Sequence, residues 1–236
     1  MLKEELVKRS PLRLLEKSLH GGLGIGNIGV LAARKGTGKT ACLVHIATDQ
    51  LLQGNHVIHV SFSGRTDYIV TWYEDIFAEI AQKRNLEGTM EIHDAIIRNR
   101  VIMNFNQQGV TVNQLLRSIR AMIDDGQFHA DVVVVDGYDF SKGEPATLQA
   151  LREFGADHNL KFWFSASIHR EDPRNDEGVP SVLAPFIESI DVLITLTTEK
   201  DHVKLRLIRD QGGYRPEDLH LELDNRTLLI REVEQA

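Results

Sequence analysis

The sequence predicts an α/β fold in which helices cover both faces of a mostly parallel central sheet that ends in antiparallel strands. Short apolar runs alternate with helical segments along most of the chain, which is typical of parallel strands joined by crossover helices. The four valines at 132–135 show no polar alternation, as expected for a strand that is buried on both faces. After residue 190 the chain holds strand patterns only, which favours hairpin-linked strands at one end of the sheet.

The composition is that of one large α/β domain. Hydrophobic residues make up 42% of the 236 residues, enough for a substantial core. The net charge of −7 argues against a general nucleic-acid or anionic-membrane surface. The single cysteine, Cys42, permits no internal disulfide, and no apolar stretch is long enough to cross a membrane. The first residues lack the pattern of a secretory signal, so a cytoplasmic protein is expected.

We expect an N-terminal helical segment, residues 1–20, followed by a main domain, residues 21–236. Ser10 and Pro11 predict a break inside the first segment, with Ser10 as the N-cap and Pro11 at the first position of a new helix. The sequence leaves open whether this segment packs on its own domain or on a neighbour. The segment contains five leucines at helical spacing: Leu2, Leu6, Leu12, Leu15 and Leu19.

In the first half of the main domain, the periods of the apolar residues separate strands from helices. Gly54 and Asn55 mark the turn after the first helix, and Thr111 is expected to cap the last one. Strands are predicted at 28–32, 56–62 and 100–105, and helices at about 40–53, 67–83, 88–98 and 111–125.

The second half contains one more helix, at about 145–158, and no internal repeat or low-complexity segment. Two central strands are followed by four strands, the last of which are expected to be joined by hairpins. These strands are predicted at 131–136, 161–167, 190–196, 203–208, 219–223 and 227–233.

A glycine-bearing loop joins the first strand to its helix and ends in Gly-Lys-Thr. Glycines let the backbone curl so that several N–H groups point at one anion, and the helix N-terminus adds partial positive charge. The pattern G-x-x-x-x-G-K-[ST] is met except at its first position, which is Ala33. The alternative is a plain glycine turn with a solvated Lys39. The predicted phosphate-binding residues are Lys35, Gly36, Thr37, Gly38, Lys39, Thr40 and Ala41.

Within this loop Lys39 is expected to reach the β and γ phosphates, and the Thr40 hydroxyl to bind Mg²⁺. Asp136 follows the four valines and would present its carboxylate at the carboxyl end of the strand, where ligand sites of α/β sheets lie. Taken alone, Asp136 would fit an N-cap better. Together with Lys39 and Thr40 it predicts a second Mg²⁺ group.

The stretch VLAARKGTGKTACLVHIA resembles the first strand, phosphate loop and helix of RecA-like ATPases, especially DnaB-type helicases and KaiC-like proteins. VVVVDGYDF resembles their acidic strand, and FWFSASIHR with VPSVLAPFIESIDVLITL resembles the DnaB-type stretch that follows. The resemblance runs from about Gly22 to Gly213. It implies a RecA-like P-loop NTPase core, binding of ATP and Mg²⁺, and a homo-oligomeric ring or filament with ATP between neighbours.

Measured against that family, three positions depart from a working ATPase. Ser63 stands where the family has a glutamate that orients the attacking water, and Ser167 stands where a polar γ-phosphate sensor, commonly glutamine, is usual. Neighbouring subunits of ring-forming relatives supply a Lys-x-Arg pair, which here is Arg209 followed by Gln211. These departures imply slow or absent hydrolysis, because a cation on the transition state is worth ~10³–10⁵ in rate.

Substitutes for the missing catalytic groups exist in the sequence. Asp67 is the first candidate for the carboxylate, with Glu74 and Asp139 behind it, and His169 is a candidate for contact with the γ phosphate. For Asp67 the favoured alternative is that it belongs to the start of the helix at 67–83. An active KaiC-like or DnaB-like ATPase is therefore the second hypothesis.

A DNA-dependent motor or recombination accessory is the third hypothesis and the least favoured. In RecA-like relatives the loops that match 137–145 and 170–184 face DNA. The second of these carries four acidic residues against two arginines, whereas phosphate binding needs clustered cations. The histidines are scattered without ligand spacing, so no zinc site is expected. The chain also lacks N-K-x-D, which favours adenine over guanine.

Overall fold

A nine-stranded sheet forms the centre of the protein, as seen in a computed structural model that describes residues 2–62, 66–84, 88–106, 111–169 and 171–233. The strands are β1 Ile28–Ala33, β2 Val57–Ser61, β3 Arg100–Asn104, β4 Val132–Asp136, β5 Lys161–Ser167, β6 Val192–Glu199, β7 His202–Asp210, β8 Gly213–Asp224 and β9 Ile230–Glu232. The helices are α1 Leu2–Lys8, α2 Leu12–Ser18, α3 Lys39–Gln53, α4 Thr66–Arg84, α5 Thr89–Arg98, α6 Val112–Asp124 and α7 Pro145–His158, with a 3₁₀ segment at Ser181–Ser189.

The order of the strands is β3-β2-β4-β5-β1-β6-β7-β8-β9. From β3 to β6 all neighbours are parallel, and from β6 to β9 all are antiparallel. The predicted fold class is therefore confirmed. Strand β1 lies inside the sheet between β5 and β6, and all its residues are buried, which explains its continuous apolar run.

Each face of the sheet has its own core, and the alternation of side chains along β4 shows the division. Val132 and Val134 pack with α3, α4 and α5 on one face, whereas Val133 and Val135 pack with α6 and α7 on the other. All four valines are almost completely buried, and each contributes roughly 1.5–3 kcal/mol by leaving water. The run of four valines is thus required by helices on both sides.

The N-terminal segment packs on its own domain, which the sequence had left open. Helix α1 lies against α3, and α2 lies against β8. Pro11 has helical dihedral angles and Ser10 Oγ accepts a hydrogen bond from Leu12 N at 3.3 Å, so the predicted break and restart are present. The leucines of this segment that are buried in the α3 face of the core are Leu6, Leu12, Leu15 and Leu19.

Two predictions about individual elements have different outcomes. The cap at Thr111 is confirmed: Thr111 Oγ1 accepts from Gln114 N at 3.3 Å, and Gln114 Oε1 accepts from Thr111 N at 2.8 Å. The last strand, predicted at 227–233, is wrong in its start, because β9 begins only at Ile230. The chain first turns on Asp224, whose carboxylate accepts from Arg226 N and Thr227 N. None of the helices in the described ranges is both long and apolar enough to span a bilayer.

Candidate phosphate-binding site

Strand β1 delivers the glycine-bearing loop to the carboxyl edge of the sheet. Its course is set by Gly29, which lies flat against the ring of Trp163 on the neighbouring β5. A Cβ on Gly29 would come within 2.5 Å of that ring, so only glycine allows the two strands and the indole to pack this closely.

The loop turns through two glycines in the left-handed region. Gly36 has φ = 81° and Gly38 has φ = 97°, values that L side chains rarely adopt. Gly38 also packs directly under Leu223 of β8, where a Cβ would collide. A Cβ on Gly36 would meet no atom within 4 Å, and Arg34 to Gly36 are exposed. The outer side of the loop is therefore open to an incoming anion.

The side chain of Lys39 folds back over this loop. Its Nζ donates to the carbonyl oxygens of Ala33 at 3.1 Å and Arg34 at 2.9 Å. Burial lowers the pKa of the Lys39 ammonium, and the charge of the Asp136 carboxylate acts in the opposite direction. The ammonium is thus held at the loop by neutral carbonyls, which a phosphate oxygen can replace with a stronger, charge-assisted partner.

Asp136 lies at the centre of a hydrogen-bond chain that joins three elements. Its Oδ2 accepts from Thr40 Oγ1 at 2.8 Å, and its Oδ1 accepts from Ser165 Oγ at 2.7 Å. Ser165 Oγ in turn accepts from Gly137 N at 2.9 Å. The start of α3 and the ends of β4 and β5 are therefore locked together. Because Thr40 gives its proton to Asp136, an oxygen lone pair of Thr40 stays available to a cation.

The sequence did not point to Ser165. The available signal was a serine that interrupts the apolar run of β5 between Phe164 and Ala166. A polar side chain at a buried strand position needs a partner, and in this fold the partner is Asp136 on the adjacent strand.

A buried polar cluster lies on the same face of the sheet, between β2, β3 and α4. His59 Nδ1 is 3.1 Å from the Tyr73 hydroxyl, and the Arg100 guanidinium lies 4.2 Å from the centre of the Tyr73 ring. Burial lowers the pKa of His59 to about 4, although the charge of Asp136 raises it. The imidazole is therefore neutral, and the cluster supports the floor behind Asp136 without adding a charge to it.

Comparison with known proteins identifies the architecture. No family model and no curated protein matches the sequence. Among solved structures, the ATPase domain of a DnaB-like helicase superposes with a TM-score of 0.71 at 14% sequence identity, over 95% of this chain and 90% of that one. The fold is RecA-like. At this identity the match shows the fold alone, and the RecA-like arrangement supplies the frame in which the family positions can be located.

Within the RecA-like sheet, Ser167 and Gln211 lie at opposite ends. Ser167 is exposed at the end of β5, and its register partner in β1 is Ala33, so it lies beside the loop. Gln211 lies in the turn after β7, which runs antiparallel to β6 and hence to β1. The neighbouring Gly212 N donates to Asp191 O, and Asp191 N donates to Ile28 O at the amino end of β1. Gln211 therefore cannot reach the loop of its own chain.

Arg209 is held inside its own domain. It is 6% exposed, its Nε donates to Ile190 O at 2.9 Å, and its guanidinium carbon lies 5.0 Å from the centre of the Tyr214 ring. The sequence showed a retained charge at this position but not that its donors are directed into the chain.

The alternative catalytic groups are dispersed. Ser63 lies outside the described residues. Asp67 is exposed in the first turn of α4. Glu74 accepts from His93 at 2.6 Å, in the pairing of α4 with α5, while Asp139 accepts from Ser141 and pairs with Lys142.

The two loops that match DNA-facing segments contain few available groups. In 137–145 the aromatic residues pack: the rings of Tyr138 and Phe140 are 5.0 Å apart, and Phe140 is 5.1 Å from Phe186. In the loop after β5, His169 N donates to Asp172 at 2.6 Å, and Arg170 lies outside the described residues. The aromatic residues of the first loop therefore belong to the core.

Proposed function

We propose that the protein binds ATP together with Mg²⁺ at residues 35–41 and hydrolyses it slowly or not at all. The hydrogen bond from Thr40 to Asp136 carries this proposal, because it brings the residue after the loop lysine to the acidic strand end, 96 positions away. A hydroxyl and a carboxylate are oxygen ligands of the kind that Mg²⁺ prefers. Their position beside a glycine loop with an inward lysine fits a nucleotide triphosphate.

Each group has a role in holding the nucleotide. The N–H groups of Gly36 to Lys39 would surround the phosphates at the N-terminus of α3. Lys39 would exchange the two carbonyl oxygens for β and γ phosphate oxygens. Thr40 would bind Mg²⁺ directly, and Asp136 would orient Thr40 and the water shell of the ion. When bound, Mg²⁺ would neutralise charge on the β and γ phosphates.

Slow turnover is supported by what stands at the three departing positions. The Ser167 hydroxyl lies beside the loop, but it carries no charge, and Gln211 is neutral as well. A serine at position 63 cannot serve as a carboxylate base. Bound ATP would then act as a structural ligand that sets an assembly or a conformation, with residues 21–236 as its binding domain and residues 1–20 packed on that domain.

The first test is nucleotide binding by Lys39→Ala, measured with a fluorescent ATP analogue and Mg²⁺. We expect affinity to fall about 100-fold, because two lost charge-assisted hydrogen bonds cost about 3 kcal/mol. Lys200→Ala removes an exposed lysine elsewhere on the surface and should bind as the wild type does. Equal binding by wild type and Lys39→Ala would reject the proposal.

The second test separates a binding module from an active ATPase. Phosphate release under saturating Mg-ATP should stay well below the ~1 s⁻¹ at which ordinary enzymes begin. A rate in the ordinary range would favour the KaiC-like or DnaB-like alternative.

We also propose that the nucleotide-bound form is a ring or filament of identical chains. Because position 211 and the loop lie at opposite ends of the strands, a group at 211 can approach a phosphate only in a neighbouring copy. Light scattering should show a larger particle with Mg-ATP than without it. A particle of unchanged mass in both conditions would contradict an assembly built by nucleotide.

A further inference from the structure

A second cavity lies below the phosphate loop, between α1, α3, α4 and β9, and encloses about 470 Å³. Three residues of α3 line it, of which the first, His45, lies six positions after Lys39. At 1.5 Å per residue this places the cavity about 9–20 Å along α3 from the loop. The volume is within the range of sites for small molecules, roughly 300–1,000 Å³. Its apolar wall is formed by Leu6, Leu52, Ile80 and Leu229.

His45 supplies a hydrogen-bond donor to the wall of this cavity. The side chain is 3% exposed, and its Nδ1 accepts from Ile230 N at 2.9 Å. An imidazole nitrogen that accepts carries no proton, so the proton of the neutral ring is on Nε2. Burial, with the charge of Lys83 as a second cause, lowers the pKa of His45 to about 4, and the ring is neutral at physiological pH. No acceptor for Nε2–H is found in the part of the chain that the structure describes.

Lys83 provides a cation on the opposite side of the same cavity. Its Nζ lies 3.3 Å from Thr227 Oγ1, and it pairs with no carboxylate among the described residues. The other cations of the wall already have acidic partners: Arg9 pairs with Glu5, and Arg231 pairs with Glu222 and Asp224.

Two acidic residues also belong to the lining. The carboxylate of Asp49 is buried and is bound by Arg13 and by Gln53, so its charge is compensated. Glu232 is exposed and lies at the rim. The donors that remain for a ligand are therefore one neutral N–H and one ammonium, above an apolar floor.

We propose that this cavity binds a small amphipathic carboxylate, whose acyl chain lies against Leu52 and Ile80 and whose carboxylate accepts from His45 Nε2–H and Lys83 Nζ. The combination of an apolar wall with two donors at one end fits a head and a tail better than a second nucleotide. The lining has no glycine loop to surround a triphosphate.

Octanoate and 1-octanol are a matched pair of probes for this site, because they share the chain and differ in the charged head. Calorimetry of the full chain at pH 7.5 should show one octanoate per chain, and octanol should bind at least tenfold more weakly. Equal affinity for the two would overturn the assignment of His45 and Lys83 as head-group donors.

Variants locate the site. Lys83→Gln and His45→Asn should each weaken octanoate about tenfold or more, since a hydrogen bond to a charged group is lost. Asparagine keeps an acceptor near the position of Nδ1 for Ile230 N while it removes the outer donor. Lys83 is exposed, so Lys83→Gln remains informative if the histidine variant does not fold. Lys200→Gln, which removes an exposed lysine elsewhere, should bind octanoate normally.

Ile80→Trp fills the cavity and should abolish octanoate binding, whereas Lys39→Ala should bind octanoate as the wild type does. Unchanged octanoate affinity in Ile80→Trp would overturn the proposed location. Absence of octanoate binding to the wild type, together with a dimer that Ile80→Trp dissociates, would assign the cavity to a second copy of the chain.

Discussion

The carboxyl end of β4 and the carboxyl end of β7 both hold residues at which the sequence resembles a nucleotide-hydrolysing family, yet their charges are used differently. At the end of β4, Asp136 and the nearby Lys39 face an open loop, and their present partners are neutral groups. At the end of β7, Arg209 is buried against Ile190 O and Tyr214, and Asp210 accepts from His20. A charge can act on a ligand only where its hydrogen-bonding atoms face outward.

The half of the molecule around the loop should also be the acid-sensitive half, because it buries two neutral imidazoles. Burial lowers the pKa of His45 and of His59 to about 4, against about 6.5 in an unfolded chain. The unfolded chain takes up these protons first as the pH falls. Stability from this source is therefore complete above about pH 6.5 and is lost progressively towards pH 4.

Between pH 7.5 and pH 5, each imidazole should remove about 2 kcal/mol from the free energy of unfolding. Urea unfolding at the two pH values measures the loss, and His45→Asn or His59→Asn should each reduce it by that amount. If both variants lose as much stability as the wild type does, the acid sensitivity arises elsewhere.

Asp136→Asn should remove most of the gain in nucleotide affinity that Mg²⁺ provides, by 10–100-fold, as is usual when a group that orients a metal ligand is lost. Nucleotide affinity measured in EDTA should change little. Asp176→Asn, an exposed acid in the loop after β5, is the matched control. An unchanged Mg²⁺ dependence in Asp136→Asn would place the metal site elsewhere.

Arg209→Gln should lower the stability of the fold by about 2 kcal/mol, since a buried, charged hydrogen bond to Ile190 O is lost. Nucleotide affinity and phosphate release per folded molecule should stay the same. Arg206→Gln on the exposed side of the same strand should change stability by less than about 0.5 kcal/mol. The opposite result, a slower release with unchanged stability, would make Arg209 a catalytic cation.

The smallest effect is expected for Asp67→Asn. Asp67 is exposed in the first turn of α4, where an acid contributes up to about 1 kcal/mol to the helix. We expect phosphate release within twofold of the wild type. Loss of a measurable ATPase activity in this variant would identify Asp67 as the substitute carboxylate and would weaken the contrast between the two strand ends.

The phosphate loop, Thr40 and Asp136 could be selected from the sequence because their signals are local. A buried strand followed by glycines and a helix start constrains the backbone over a short stretch, and four valines before an acid need no distant information. The Thr111 capping box is local in the same way. By contrast, Ser165 and Tyr73 are ordinary residues in sequence, and their polar partners come from other strands.

What the sequence alone determined was the α/β class, the loop and the strand that ends in Asp136, because backbone preference and apolar period decide these over a few residues. The tertiary structure decided that Ser165 and Thr40 share one carboxylate, that Arg209 is directed inward, and that the N-terminal helices cover α3 and β8. It also decided the cavity beside His45. Each of these depends on contacts between residues far apart in the chain, which only the packing of the strands brings together.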